Sequence, residues 1–101
     1  MPLTDKQARL ARRAKNLAAG QYEAAQQIAH QGGLVLSQDS RSRYSLHDPQ
    51  KGWTLLLFPK NGRVTLDGGD HAPFIRVTAK NWDLIKIVRE AISLNATKER
   101  Q

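Results

Sequence analysis

Five cations fall within the ten residues from Lys6 to Lys15: Lys6, Arg9, Arg12, Arg13 and Lys15. Guanidinium and ammonium groups at that density can make charge-assisted hydrogen bonds to phosphate oxygens. On a helix turning about 100° per residue they fan over the side opposite Leu10, Ala14 and Leu17. Such a helix packs its apolar side inward and presents charge outward. A second cationic stretch runs from 41 to 63, where Arg41, Arg43, Lys51, Lys60 and Arg63 face one acidic residue, Asp48. These ten basic residues are the candidate phosphate contacts. Contacts of this kind give affinity and salt dependence but no base preference.

Other residues could carry chemistry, and each has a simpler reading. Trp53 follows Lys51 and Gly52, and an aromatic among cations can stack on a base. A tryptophan opening a hydrophobic strand is more often core. Asp67-Gly68-Gly69-Asp70-His71, with His47-Asp48 elsewhere, offers acid–base or metal-binding groups, but a metal site needs three or four converging ligands. The Gly-Gly pair reads as a turn, and it lacks the strand–glycine–helix setting of a phosphate-binding loop. His30 suits a helix C-terminus as a protonated imidazole. No catalytic residue, metal site or cofactor is assigned.

The elements that must position the cations follow from periodicity. Thr4-Asp5-Lys6-Gln7 is a capping box. Beyond it Leu10, Ala14, Leu17, Ala18, Ala25 and Ile28 recur at helical spacing, with Gly20 predicting a kink or a break into two helices. Gly32-Gly33 ends the helical segment. Strands are expected at Leu34–Leu36, Arg43–His47, Trp53–Phe58 and Arg63–Leu66, with a fifth or an extended lead-in at Phe74–Val77. Turns are expected at Gln38–Ser40, at Asp48–Gly52 and at Pro59–Gly62, whose Asn-Gly pair suits a hairpin. Trp53–Phe58 is the most hydrophobic strand and therefore central. Alternation puts Arg43, Ser45 and His47 on one face and Tyr44 and Leu46 on the other. Thr78 is the expected N-cap of a last helix from Ala79 to about Asn95, buried through Trp82, Ile85, Val88 and Ile92, with a frayed tail over 95–101. The whole predicts one α+β domain over 1–101, an antiparallel meander sheet of four to five strands with an N-terminal and a C-terminal helix packed on one face.

Composition sets the outer bounds. The chain has 101 residues, 40% hydrophobic and 25% charged, with no cysteine, so one modest core must hold it together without disulfides or thiolate–zinc sites. Met1 to Lys6 has no apolar stretch, so no secretory leader is expected. The longest apolar run, Leu55 to Phe58, is far below the roughly 20 residues of a membrane span. The first helix's alanine-rich apolar side has little area to insert into a bilayer. A cytoplasmic accessory protein of bacterial or phage type is the expectation.

The net charge of +7 turns that expectation toward nucleic acid, DNA or RNA, bound by phosphate contacts. Neither a helix-turn-helix pattern nor the aromatic signature of an RNA-recognition sheet is present. One alternative is an interaction module or inhibitor docking on an acidic protein. Another is a small RNA-cleaving toxin. The order helix, three or more strands, helix is loosely similar to double-stranded-RNA-binding-like folds, some of which serve in such toxins. The histidine that resemblance implies early on a strand is replaced by Ser40-Arg41-Ser42-Arg43, leaving His47 as the general-base candidate. A homodimer through the Leu34–Leu36 edge is also open. The deciding question is whether the two cationic stretches meet in space.

Overall fold

The structure, a computed structural model, describes residues 4–40, 43–67, 73, 75, 77 and 80–99. Two α-helices flank a four-stranded antiparallel meander in chain order: α1 (Asp5–Gln31), β1 (Val35–Ser40), β2 (Arg43–His47), β3 (Thr54–Phe58), β4 (Arg63–Asp67) and α2 (Leu84–Glu99). The spatial order β1-β2-β3-β4 repeats the chain order, which leaves β2 and β3 interior. No helix among the described residues is long and apolar enough to cross a membrane.

The capping box forms as expected. Gln7 N donates to Thr4 Oγ1 and Thr4 N donates to Gln7 Oε1, each at 3.1 Å. Beyond it α1 runs unbroken for 27 residues, so Gly20 does not split it. The buried stripe also differs from the expected one. Ala11, Ala14, Ala18, Ala25 and Ala29 are buried, whereas Leu17 is 41% exposed. Together with half-buried Tyr22 they space three or four residues apart, and methyl-sized side chains let the helix lie close to its neighbours. Gly33, at φ +80°, takes the left-handed position past the helix end and turns the chain back into β1.

Inside the sheet, alternation behaves as read. Leu36, Tyr44, Leu46, Leu55 and Leu57 are buried against both helices, with Trp53 entering β3 at zero exposure. The register places Leu36, Leu46, Leu55 and Leu66 in one row, and Gln38, Tyr44, Leu57 and Val64 in another. The other face carries Ser37, Ser45, Leu56 and Thr65 in a row, and Arg43, Phe58 and Arg63 at its end.

Several boundaries move. β1 continues through Gln38–Ser40, with a register shift between Gln38 and Ser40, so strand replaces the turn expected there. The Pro59–Gly62 turn forms where expected and closes the β3–β4 hairpin, as a 3₁₀ turn over Pro59–Asn61 ended by Gly62 at φ +59°. Proline at its first position sets φ, and glycine supplies the left-handed residue. In the segment expected as a fifth strand or an extended lead-in, Ile75 and Val77 are not in a strand, and Phe74 and Arg76 lie outside the described residues.

α2 starts at Leu84, and Thr78 and Ala79 lie outside the described residues. Asp83 provides the N-terminal cap, its Oδ1 accepting from Lys86 N at 3.0 Å. Gln21 of α1 completes the junction: its Oε1 accepts from Leu84 N at 2.8 Å and its Nε2 donates to Asp83 Oδ1 at 3.0 Å. Trp82 is therefore buried just ahead of the helix instead of on it. The helix's buried face is Leu84, Ile87, Val88, Ala91 and Asn95, with Ile85 and Ile92 only half-buried. Helix also replaces the expected tail as far as Glu99.

Candidate nucleic-acid interface

The direction of α1 decides where the first cationic stretch lies. Tyr22 meets Tyr44 with ring centroids 5.4 Å apart, and Gln26 Nε2 donates to Leu36 O at 3.2 Å. Tyr44 stands one residue from the end of β2 that adjoins the β1–β2 hairpin. More than half of α1 precedes Tyr22, so that half runs over and past this end of the sheet. The 3₁₀ turn between β3 and β4 packs on it, with Pro59 buried. Helix length explains the reach: 27 residues span about 40 Å, whereas a five-residue strand spans about 17 Å.

Lys6, Arg9, Arg12 and Arg13 are exposed on this projecting half, and Lys15 is half-buried at its flank. Arg9, Arg12 and Arg13 line, with Asn16 and Leu17, a surface hollow of about 570 Å³. Lys60 is exposed in the 3₁₀ turn at the same end. Arg43 opens β2 and Arg63 opens β4, both exposed and both at this end. Eight of the ten candidate cations therefore share one end of the molecule. They share an end rather than a face: the α1 cations belong to the helix layer, Arg43 and Arg63 to the open face of the sheet.

Two candidates fall elsewhere. Arg41 lies outside the described residues. Lys51 is in the β2–β3 turn at the opposite end, where its Nζ donates to Asn95 Oδ1 at 2.9 Å and Asn95 O at 3.3 Å. That lysine has a structural duty. It helps close a buried polar cluster in which Asn95 Nδ2 donates to Asp48 Oδ2 at 2.8 Å and Trp53 Nε1 donates to Asn95 Oδ1 at 3.4 Å. Asp48 Oδ1 also accepts from the amides of Gln50 (2.8 Å) and Lys51 (3.0 Å). Burial pushes the Asp48 carboxyl up. The hydrogen bonds from the Lys51 amide, Asn95 and the Gln50 amide, with the Lys51 charge, outweigh it and hold the pKa below the usual carboxylate value.

Ion pairing does little to neutralise the cationic end. Among the described residues the only salt bridge is Arg43 Nε to Asp39 Oδ2 at 3.4 Å, an exposed pair of the weak kind. Acids are scarce there too: Asp5 is the only one in α1 before Glu23.

The remaining candidate chemistry is thinner. Trp53 is fully buried, which removes it as a stacking platform. His47 Nδ1 lies 3.0 Å from Trp53 O and 2.9 Å from Thr54 Oγ1. The Trp53 carbonyl can only accept from this nitrogen, whereas the Thr54 hydroxyl can donate to it or accept from it. No carboxylate orients this ring among the described residues. No group of three or more potential metal ligands occurs among them either. Of the candidate stretch Asp67–His71, Asp67 ends β4 instead of starting a loop, and residues 68–71 lie outside the described residues.

Sequence reading missed the Asn95 cluster, the Gln21–Asp83 junction and the position of Phe58. The first two link residues more than forty positions apart and carry no local signal. Phe58 did have one, because strand alternation with Leu55 and Leu57 inward puts Leu56 and Phe58 outward. Comparison of the chain with known protein families, curated proteins and solved structures finds no match.

Proposed function

We propose that this domain binds nucleic acid through its phosphates, using the end formed by the first half of α1, the 3₁₀ turn and the adjoining ends of β2 and β4. One observation carries the reading: two cationic stretches, far apart in sequence, converge at one end, where eight basic groups meet few acids. A phosphate backbone presents negative charge at regular short intervals, and an extended cationic surface is its electrostatic complement. A basicity serving only solubility needs no such convergence.

Titration of labelled duplex and single-stranded oligonucleotides at several salt concentrations tests the proposal. The expected result is micromolar or tighter binding, with log K falling against log salt by about 0.9 per duplex phosphate contacted. Absence of binding at about 50 mM salt, where such contacts are strong, overturns it.

A further inference from the structure

The face of the sheet turned away from both helices is polar except at Leu56 and Phe58, half-buried on the interior strand β3, and at exposed Val35, which opens the edge strand β1 at the other end. Phe58 pairs directly with Arg63 on β4. On its other side the pairing of Tyr44 with Leu57 carries Arg43 of β2 into the same row. With adjacent strands about 4.8 Å apart, the two arginines rise on either side of one aromatic ring. In the next row, beside Leu56, Thr65 supplies a hydroxyl and the Ser45 hydroxyl donates to Asp39 Oδ1 at 3.3 Å.

We infer that this open face takes a single-stranded nucleic acid, one base stacking on Phe58 while Arg43 and Arg63 hold the flanking phosphates. The inference rests on the polyanion reading above and narrows its substrate class. Base–aromatic stacking tolerates any base, because every base has a π-face. A ring lying on a sheet can meet only a base free to leave its neighbours, and duplex bases are enclosed by their own stack. An acidic peptide satisfies the arginines but leaves the ring without a counterpart. The Asp39 contact does not lock Arg43, because an exposed pair exchanges readily for phosphate.

The test compares the wild type with Phe58→Leu and Phe58→Trp. The probes are an oligothymidylate of about twelve nucleotides, an abasic strand of equal length, a matched duplex and polyglutamate. Stacking on Phe58 predicts that the wild type prefers the thymidylate to the abasic strand. Phe58→Leu should weaken thymidylate binding about tenfold, within the roughly 5- to 150-fold range of lost stacking, and leave abasic and duplex binding unchanged. Phe58→Trp should restore binding, and its emission should be quenched by the thymidylate. Trp53 and Trp82, both buried, stay outside that signal. If Phe58→Leu unfolds, the Phe58→Trp quenching alone decides. Equal wild-type affinity for thymidylate and abasic strands, or unquenched Phe58→Trp, overturns the stacking while phosphate binding stands. Polyglutamate bound as tightly as thymidylate also overturns the inference. Failure of every nucleic-acid probe overturns the phosphate reading itself.

Discussion

Replacing Asn95 by alanine should be among the most damaging single polar substitutions in the fold. Its side chain joins three groups: it donates to Asp48 Oδ2 and accepts from Lys51 Nζ and Trp53 Nε1. The three differ in how well water can replace the lost partner. Trp53 is fully buried, so its indole N–H would be left unsatisfied at about 1–3 kcal/mol. Asp48 keeps its two backbone donors and loses one charge-assisted bond, about 1.5 kcal/mol or more. Lys51 is half-buried and can turn outward, so it adds little. The total is about 3 kcal/mol, a large share of the roughly 5–15 kcal/mol of a typical domain. At about 4–8 °C per kcal/mol, Tm should fall by roughly 12–24 °C. Urea unfolding followed by tryptophan fluorescence measures this, and the midpoint should drop with the denaturant slope unchanged. A loss below about 0.5 kcal/mol would show that this cluster does not pin the β2–β3 turn to α2, because such a loss is ordinary for a surface position.

Three further outcomes follow from particular contacts. Asp48 has a lowered folded-state pKa, so its stabilisation is complete above the unfolded value of about 3.8 and disappears as pH falls through the folded value. Urea midpoints taken down to about pH 2 should show this acid loss, and Asp48→Asn should flatten it; an unchanged acid limb in the variant contradicts the assignment. Gly20→Ala should stabilise by about 1 kcal/mol, because it sits mid-helix and an added Cβ meets nothing within 4 Å. A destabilised Gly20→Ala by thermal unfolding would show a crowding that the structure lacks. Gly32→Ala should cost about 1–3 kcal/mol, since its Cβ would lie 2.5 Å from Ile92 Cδ1. That cost should shrink in an Ile92→Ala background, and strict additivity in the double-mutant cycle would refute the clash.

Local rules carried much of the fold. The capping box, the β2 limits and the inward leucines were legible because each depends on neighbours within a few residues. The buried stripe of α1 was harder, since leucine outranks alanine in hydrophobicity while close helix packing favours the smaller side chain. α2 illustrates tertiary override: Thr78 looks like a cap, but Asp83 takes that role at the junction with Gln21. The cationic residues themselves were legible from charge alone. Their meeting at one end was not, because it depends on α1 outreaching the sheet and on the meander returning β4 to the same end as the start of β2. Lys51 shows the converse: its charge reads like the others, yet its partner Asn95 stands 44 positions away.

The central claim is that the position of the charge matters, and not merely its amount. Two triple variants with equal charge loss test this directly. Arg9→Gln/Arg12→Gln/Arg13→Gln removes cations from the projecting half of α1, and Lys80→Gln/Lys86→Gln/Arg89→Gln removes exposed cations before and along α2. Oligonucleotide titrations across a salt series should show the first triple binding more weakly, with a slope shallower by about 2–3, while the second stays close to wild type. Equal losses in both triples, or no loss in the first, would contradict an interface at the end of the sheet.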